Sequence, residues 1–353
     1  MIDQIAIQNF RCFSSLQVSG LKRINVIVGG NSSGKTAFLE SLFLVSGAAA
    51  PQVAFQLRAL RQLGSQVQIT ADASAYQALW GDLFHWFDQE KTILIEAIGN
   101  QGDSRSLRVL YSTTGTQILP FGQQPVGGGF LPQIIFEWKR GDGPPILVKP
   151  IMTGSGLQFE GASIDHFPVI MFAPHAADTP EEISKRFSEL SKSARLNPVL
   201  EALRTEYPFI ESLSIEYNSN IPTVFATLRG NERKLPIALV SDGINKLLNI
   251  LLGISTFAKG SVLIDEFENG FYYERFESIW RTVYAFARFN DVQVFATTHS
   301  QEFLRAMIPV LQGNARDFCL LRAIRNDSGT ASLITRFEGD QLLSALSKNG
   351  EIR

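Results

Sequence analysis

The sequence predicts an α/β fold with a parallel core sheet, an antiparallel β lobe and a helical subdomain, spread over 353 residues. Three observations carry that prediction. From Ile244 onward, apolar helices and buried strands alternate, as a parallel sheet requires. Ile24 to Val28 is a short β-branched run of the kind buried on both faces, followed at once by glycines and a helical pattern. From Thr92 to about Phe159, short β runs are separated by Gly, Pro and Ser, which reads as antiparallel structure.

The elements follow in order. Ile2 to Phe10 and Ser15 to Leu21 read as strands, and Lys35 to Val45 as a helix with Phe38, Leu42 and Val45 on one face. Ala48 to Asp88 reads as mostly helical, with an aromatic cluster at Trp80, Phe84, Trp86 and Phe87. In the β lobe the runs are Ile93-Leu94-Ile95, Leu107 to Leu110 and Ile134-Ile135-Phe136, and Gly127-Gly128-Gly129 marks a loop. Thr179 caps a helix with Pro180 at its first position and Glu181 and Glu182 in its first turn, and helical pattern continues to about Tyr207. Strands return at Leu213 to Tyr217 and Val224 to Leu228. Then come the Ile244 to Thr256 helix, the Val262 to Ile264 strand, the Arg275 to Ala287 helix and the Val292 to Ala296 strand. There is no internal repeat. The chain divides into 1–90 (strands, loop and helices), 91–172 (antiparallel β), 173–238 (helical and β insert) and 239–353 (C-terminal lobe).

A net charge of −2 gives no global field that attracts nucleic acid, so a DNA-binding role would need a local basic face. Apolar residues at 45% and charged ones at 19% fit a globular chain with a sizeable core, and most of the 26 Phe read as packing. Cys12 and Cys319 lie far apart in apolar, strand-like contexts without metal-ligand spacing, and read as buried free thiols of a reducing compartment. The first residues enter a strand pattern directly, with no signal segment, and the longest apolar stretch is too interrupted to span a bilayer. A cytoplasmic protein without a membrane partner is the resulting expectation.

The segment Gly29-Gly30-Asn31-Ser32-Ser33-Gly34-Lys35-Thr36 matches G-x-x-x-x-G-K-S/T and sits between a strand and a helix. Its glycines let backbone N–H groups turn toward phosphate oxygens, and the helix N-terminus, where Ala37 follows, adds its dipole. Lys35 is placed to reach the β- and γ-phosphates of ATP, and the Thr36 hydroxyl to ligate Mg²⁺. Ser261 to Glu266 is an apolar strand ending in two carboxylates. Asp265 is expected to hold the metal and Glu266 to activate a water. Thr297-Thr298-His299-Ser300 closes the next buried strand, putting His299 at the same sheet edge. Ser241-Asp242-Gly243 opens the helix that carries Asn245 and Lys246, either as an anion-binding end or as an ordinary cap. Arg11 ends the first strand, either near the nucleotide or solvated.

Asn9-Phe10-Arg11, the phosphate loop, Ser241-Asp242-Gly243, Asp265-Glu266 and Thr297-Thr298-His299-Ser300 come in an order that resembles ABC-type ATPase heads of the SMC, RecF and OLD group. The stretch from Asp265 through Glu268-Asn269-Gly270 to Ser300 looks like the short OLD-like AAA-family ATPases. The resemblance implies a P-loop NTPase in which two heads sandwich two ATP molecules. Ser241 and Gly243 of one copy would then face the γ-phosphate bound by the other. It further implies Asp265 for Mg²⁺, Glu266 as base, His299 as switch, and Asn269 and Gly270 in the loop between the heads.

The sequence departs from the group's pattern in places. Its Ser-Asp-Gly replaces the Ser-Gly-Gly of transporters, Tyr272 stands where many relatives carry His, and only Gln52 and Gln56 are candidates for a Mg²⁺-coupling Gln. No heptad coiled coil interrupts the head, and the residues after the core leave no room for a TOPRIM nuclease. The implied function is an ATP-hydrolysing dimerising switch whose partner is DNA or a separate nuclease or toxin effector, in phage defence or DNA maintenance. The alternative is a slow-turnover scaffold that holds such an effector inactive.

Overall fold

Two sheets face each other across one helix. The structure, a computed structural model, describes residues 1–47, 57, 79–112, 133–153, 156–161, 168–174, 178–326 and 332–347. In chain order the first strands are β1 (Ile2–Phe10), β2 (Phe13–Ser19), β3 (Ile24–Val28), β4 (Ile93–Gly99), β5 (Ser104–Ser112), β6 (Gln133–Arg140), β7 (Ile146–Thr153) and β8 (Gly156–Glu160). They are followed by β9 (Val169–Phe172), β10 (Ile210–Asn218), β11 (Ile221–Leu228), β12 (Leu235–Pro236), β13 (Ser261–Ile264), β14 (Gln293–Thr297), β15 (Phe318–Arg325) and β16 (Ser332–Glu338). The longer helices are α1 (Lys35–Ser46), α2 (Pro180–Lys192), α3 (Asn197–Glu206), α4 (Asp242–Thr256), α5 (Phe276–Phe289) and α6 (Gly339–Ser347).

The core sheet has the order β16-β15-β3-β14-β13-β9. Its strands from β15 to β9 are parallel, and only β16 is antiparallel. Alternation along each strand divides its side chains between two cores. Ile24, Val26, Val262, Ile264, Val294 and Ala296 pack on the side of α5. Ile27, Leu263, Phe295, Cys319 and Leu321 pack on the opposite side, with α1. There α1 is covered in turn by the antiparallel sheet β2-β1-β4-β5-β6-β7-β8, so Phe38, Leu39, Leu42 and Val45 are buried on more than one face. A third core joins α2, α3 and the first turns of α4 to the sheet β10-β11-β12. Each fully buried Ile, Leu or Phe in these layers contributes about 1.5–3 kcal/mol.

The capping box at Thr179 forms as its residues predict. The Glu182 N–H donates to Thr179 Oγ1 at 3.3 Å, and the Thr179 N–H donates to Glu182 Oε2 at 2.9 Å. Four sequence expectations need correction. The helical run from Thr179 to Tyr207 is two helices, α2 and α3. The chain turns at Ala194 (φ 56°), and Pro198 in the first turn of α3 has no N–H to continue α2. Val169–Phe172, grouped with the antiparallel region, is the edge strand of the parallel sheet beside β13. Cys12 lies in the β1–β2 turn, half-buried, whereas Cys319 is buried in a strand as expected; both thiols are free. Trp86 and Phe87, counted with a helical aromatic cluster, sit in a 3₁₀ segment and are exposed, while Trp80 and Phe84 are buried. Most of Ala48 to Asp88, with Gln52 and Gln56, lies outside the described residues, as does Gly127-Gly128-Gly129.

Candidate functional site

Parallel strands bring their C-terminal ends to one edge, where ligands of α/β sheets bind. Here β3 ends in the loop Gly29 to Gly34, β13 in Asp265 and Glu266, and β14 in Thr297 to His299. The order β3-β14-β13 puts Thr297 between the loop and the carboxylates. Its hydroxyl donates to Asp265 Oδ1 and accepts from the Glu266 N–H at 2.8 Å. The other carboxylate oxygen, Asp265 Oδ2, accepts from Thr36 Oγ1 at 2.8 Å.

The loop wraps tightly before α1. Ser32 and Gly34 take left-handed conformations (φ 60° and 103°). Gly34 has no room for a side chain, since a Cβ would lie 2.8 Å from Cys12 Sγ. Lys35 Nζ donates to the carbonyls of Gly29 and Gly30, both at 2.9 Å. The Ser33 hydroxyl is buried without a hydrogen-bond partner. An orphan donor in a loop of inward N–H groups fits the phosphate oxygens of a nucleotide. Thr36 and Asp265 are hard oxygen donors of the kind that hold Mg²⁺ together with phosphates. Among the described residues no cluster of three or more His, Cys, Asp or Glu forms a metal cage of its own.

A cleft of about 640 Å³ opens over this edge. It is lined by Asn31, Ser32, Ser33, Gly34, Lys35, Thr36 and Ala37 of the loop and α1, and by Asp265, Glu266 and His299. Thus one chain gathers nearly all the predicted nucleotide residues in one place. Ser241 and Gly243 do not line it. Ser241 is exposed at the start of α4 and its side chain caps no N–H, while Gly243 is buried against the Gly270 carbonyl.

The electrostatics follow from burial among carboxylates. Burial lowers the Lys35 ammonium below its ordinary range, and Asp265, Glu266 and Glu268 oppose that shift. Lys246 is pulled further, down to about 8, again by burial against the pull of Glu268, Glu266 and Asp265. Glu266 itself sits at φ 47°, in the left-handed region where a side chain other than Gly is strained, and Asn269 Nδ2 donates to its Oε2 at 2.5 Å.

Three residues named in the sequence take partners in the fold that the sequence does not show. Glu268 Oε1 accepts from the N–H groups of His299 and Ser300 at 2.7 and 3.1 Å, fixing the loop that bears His299. Lys246 Nζ donates to the carbonyls of Glu266 and Asn269. Arg11 is neither solvated nor aimed only at the cleft. Its side chain, 8% exposed, pairs with Glu40 of α1 at 3.3 Å and Asp82 at 2.8 Å while lining the cleft. These partners lie 20 to 71 residues away in sequence, so only the fold brings them together.

This edge defines a P-loop nucleoside triphosphatase. Known proteins narrow the class. Residues 1–96 match the family described as "AAA ATPase domain", and residues 159–305 the one described as "AAA domain, putative AbiEii toxin, Type IV TA system". The chain is 22% identical over 342 residues to an "ATP/GTP phosphatase" of Helicobacter pylori, covering 88% of this chain and 89% of that protein. Two solved SMC heads share the fold at 12% identity. One is an SMC head bound to the C-terminal winged-helix domain of ScpA (97% of this chain, 99% of that chain, TM-score 0.53). The other, with an extended coiled coil and bound to the C-terminal domain of ScpA, derives from Pyrococcus furiosus (98% of each chain, TM-score 0.50). The chain thus has the fold of an SMC ATPase head and matches AAA ATPase models over two separate stretches of its length. Among its described residues, no helix is long and apolar enough to cross a membrane.

Proposed function

We propose that the chain is a Mg²⁺-dependent ATPase switch of the OLD-like branch, a single head that dimerises around ATP and passes its state to a separate effector or a nucleic acid. The observation that carries this reading is the division of the site. Loop, carboxylates and His299 share one cleft, whereas Ser241 stands exposed outside it at the N-terminus of a 15-residue helix. A helix start with unused N–H groups suits the γ-phosphate of a nucleotide held by a second copy.

In this reading the loop N–H groups, the Ser33 hydroxyl and Lys35 bind and orient the triphosphate. Thr36 and Asp265 would hold Mg²⁺, which would neutralise charge developing on the phosphate oxygens. Glu266 accepts a proton from water as the water oxygen bonds to the γ-phosphorus and the bond to the β-phosphate oxygen breaks, releasing ADP and phosphate. His299, held through its backbone by Glu268, steadies the water and the γ-phosphate. Thr297, on the strand between the loop and the carboxylates, holds the Asp265 carboxylate and the Glu266 N–H.

The toxin-linked family description over 159–305 favours an effector of the toxin type, either driven by turnover or held inactive by a slow ATP-bound scaffold. Turnover separates these two. Hydrolysis stimulated by DNA supports the switch, and negligible turnover in a tight complex with an effector supports the scaffold. The division of the site is tested by sedimentation with ATP and Mg²⁺. Ser241→Arg should stay monomeric while binding ATP, and Lys35→Ala should not bind ATP at all. A Ser241→Arg protein that dimerises with ATP like the wild type contradicts the composite site.

A further inference from the structure

The phosphate-loop cleft has a second wall that the phosphate chemistry does not use. Trp86 and Phe87 line it while standing 63% and 70% exposed. The other three tryptophans, Trp80, Trp138 and Trp280, are no more than 2% exposed. Two adjacent large aromatic side chains left in water beside a ligand cleft require a reason beyond packing.

Their backbone sharpens the point. Trp86 and Phe87 both adopt left-handed conformations (φ 54° and 59°), which bulky residues seldom enter. Such strain persists only where surrounding contacts over-determine it. Those contacts are present. The Phe87 and Asp88 N–H groups donate to the carbonyls of Phe84 and His85 at 3.1 and 3.0 Å. His85 Nδ1 donates to the Arg11 carbonyl at 2.8 Å, and the Arg11 N–H to the Leu83 carbonyl at 2.8 Å. Arg11 in turn is paired to Glu40 of α1, the helix that the phosphate loop begins. The aromatic pair is therefore fixed to the β1–β2 turn and to α1, at a set position relative to the loop.

We propose that Trp86 and Phe87 form a nucleobase shelf, on which the base of the nucleotide stacks while its phosphates occupy the loop. The proposal rests on the reading of Gly29 to Thr36 as the phosphate site. A flat aromatic surface gains from any base, because every base has a π-face, so the shelf holds adenine and guanine alike. A stacked base also shields rings that otherwise face water.

The test compares ATP, GTP and inorganic tripolyphosphate binding to the whole protein, using Trp86 as its own probe. ATP and GTP should quench the exposed tryptophan emission, and tripolyphosphate should not. Trp86→Ala and Phe87→Ala should each weaken ATP and GTP about five- to a hundredfold and leave tripolyphosphate unchanged. Trp86→Phe, which keeps a stacking ring, should retain most of the affinity even if the alanine variant folds poorly. Tripolyphosphate binding as tightly as ATP to the wild type, without base-dependent quenching, would overturn the shelf and leave the phosphate loop standing. So would a Trp86→Ala protein that binds ATP normally but changes its oligomeric mass. If neither ATP nor tripolyphosphate binds, the phosphate-loop reading fails and the shelf with it.

Discussion

The Lys246 ammonium donates a 2.9 Å hydrogen bond to the carbonyl oxygen of Glu266. A second bond, 3.0 Å long, runs to the carbonyl of Asn269, whose side chain holds Glu266 Oε2. Helix α4, with Ser241 and Gly243 at its start, is thereby tied to the carboxylate segment inside one chain. Displacing α4 must move the backbone on either side of Glu266.

That tie is pH-sensitive. Lys246 releases its proton at about 8 in the folded chain, against 10.5 for an ordinary lysine. Between these values the unfolded chain binds the extra proton, so this group's contribution to stability rises with pH. Below about 8 both states are protonated, and the cost of burying the charge is fully present. Denaturant titrations of wild type and Lys246→Met at pH 7.5 and pH 9.5 check this. The wild type should gain stability relative to the variant at the higher pH; a difference that does not move with pH contradicts it.

Gly243 is glycine for a reason within the chain. A Cβ there would meet the Gly270 carbonyl oxygen at 2.5 Å. Gly243→Ala should cost about 1–3 kcal/mol by overpacking, and should lower kcat by shifting the segment that carries Glu266. Thermal unfolding and steady-state turnover read both effects. An alanine variant with wild-type Tm would show that the helix start is not locked against Gly270.

Glu268 clamps the start of the His299 loop through two backbone N–H groups. Removing a charged acceptor that serves two donors costs about 1.5–3 kcal/mol. Glu268→Ala should therefore lose stability and turnover while keeping ATP affinity, and Glu268→Gln, which retains an acceptor oxygen, should recover part of both. Calorimetric ATP binding beside kcat makes the comparison. A loss of affinity without a change in kcat would place Glu268 in nucleotide binding instead.

Contiguous features were legible before the fold was known. The loop from Gly29 to Thr36 depends on neighbours in sequence, and so do the apolar runs that end at Asp265 and Thr297, because a strand-to-helix turn and a buried strand are local patterns. Relations across the chain were not. Val169–Phe172 is too short to declare its partner, and its parallel pairing with β13 depends on the sheet as a whole. The bonds from Glu268 to His299 and from Lys246 to Glu266 join residues 31 and 20 apart. Trp86 and Phe87 misled for a different reason. Aromatic residues near Trp80 and Phe84 look like core, and only backbone conformation separates the buried pair from the exposed one.

Glu266, at the end of β13, is the group proposed to accept the proton of the attacking water. Glu266→Gln keeps the shape of the side chain and the Asn269 contact but removes its basicity. ATP binding and single-turnover hydrolysis, measured on the same preparation with Mg²⁺, decide the matter. Binding should stay within about threefold of wild type while hydrolysis falls about a hundredfold or more, the usual span of a lost general base. Hydrolysis at the wild-type rate by the Gln variant would contradict the account.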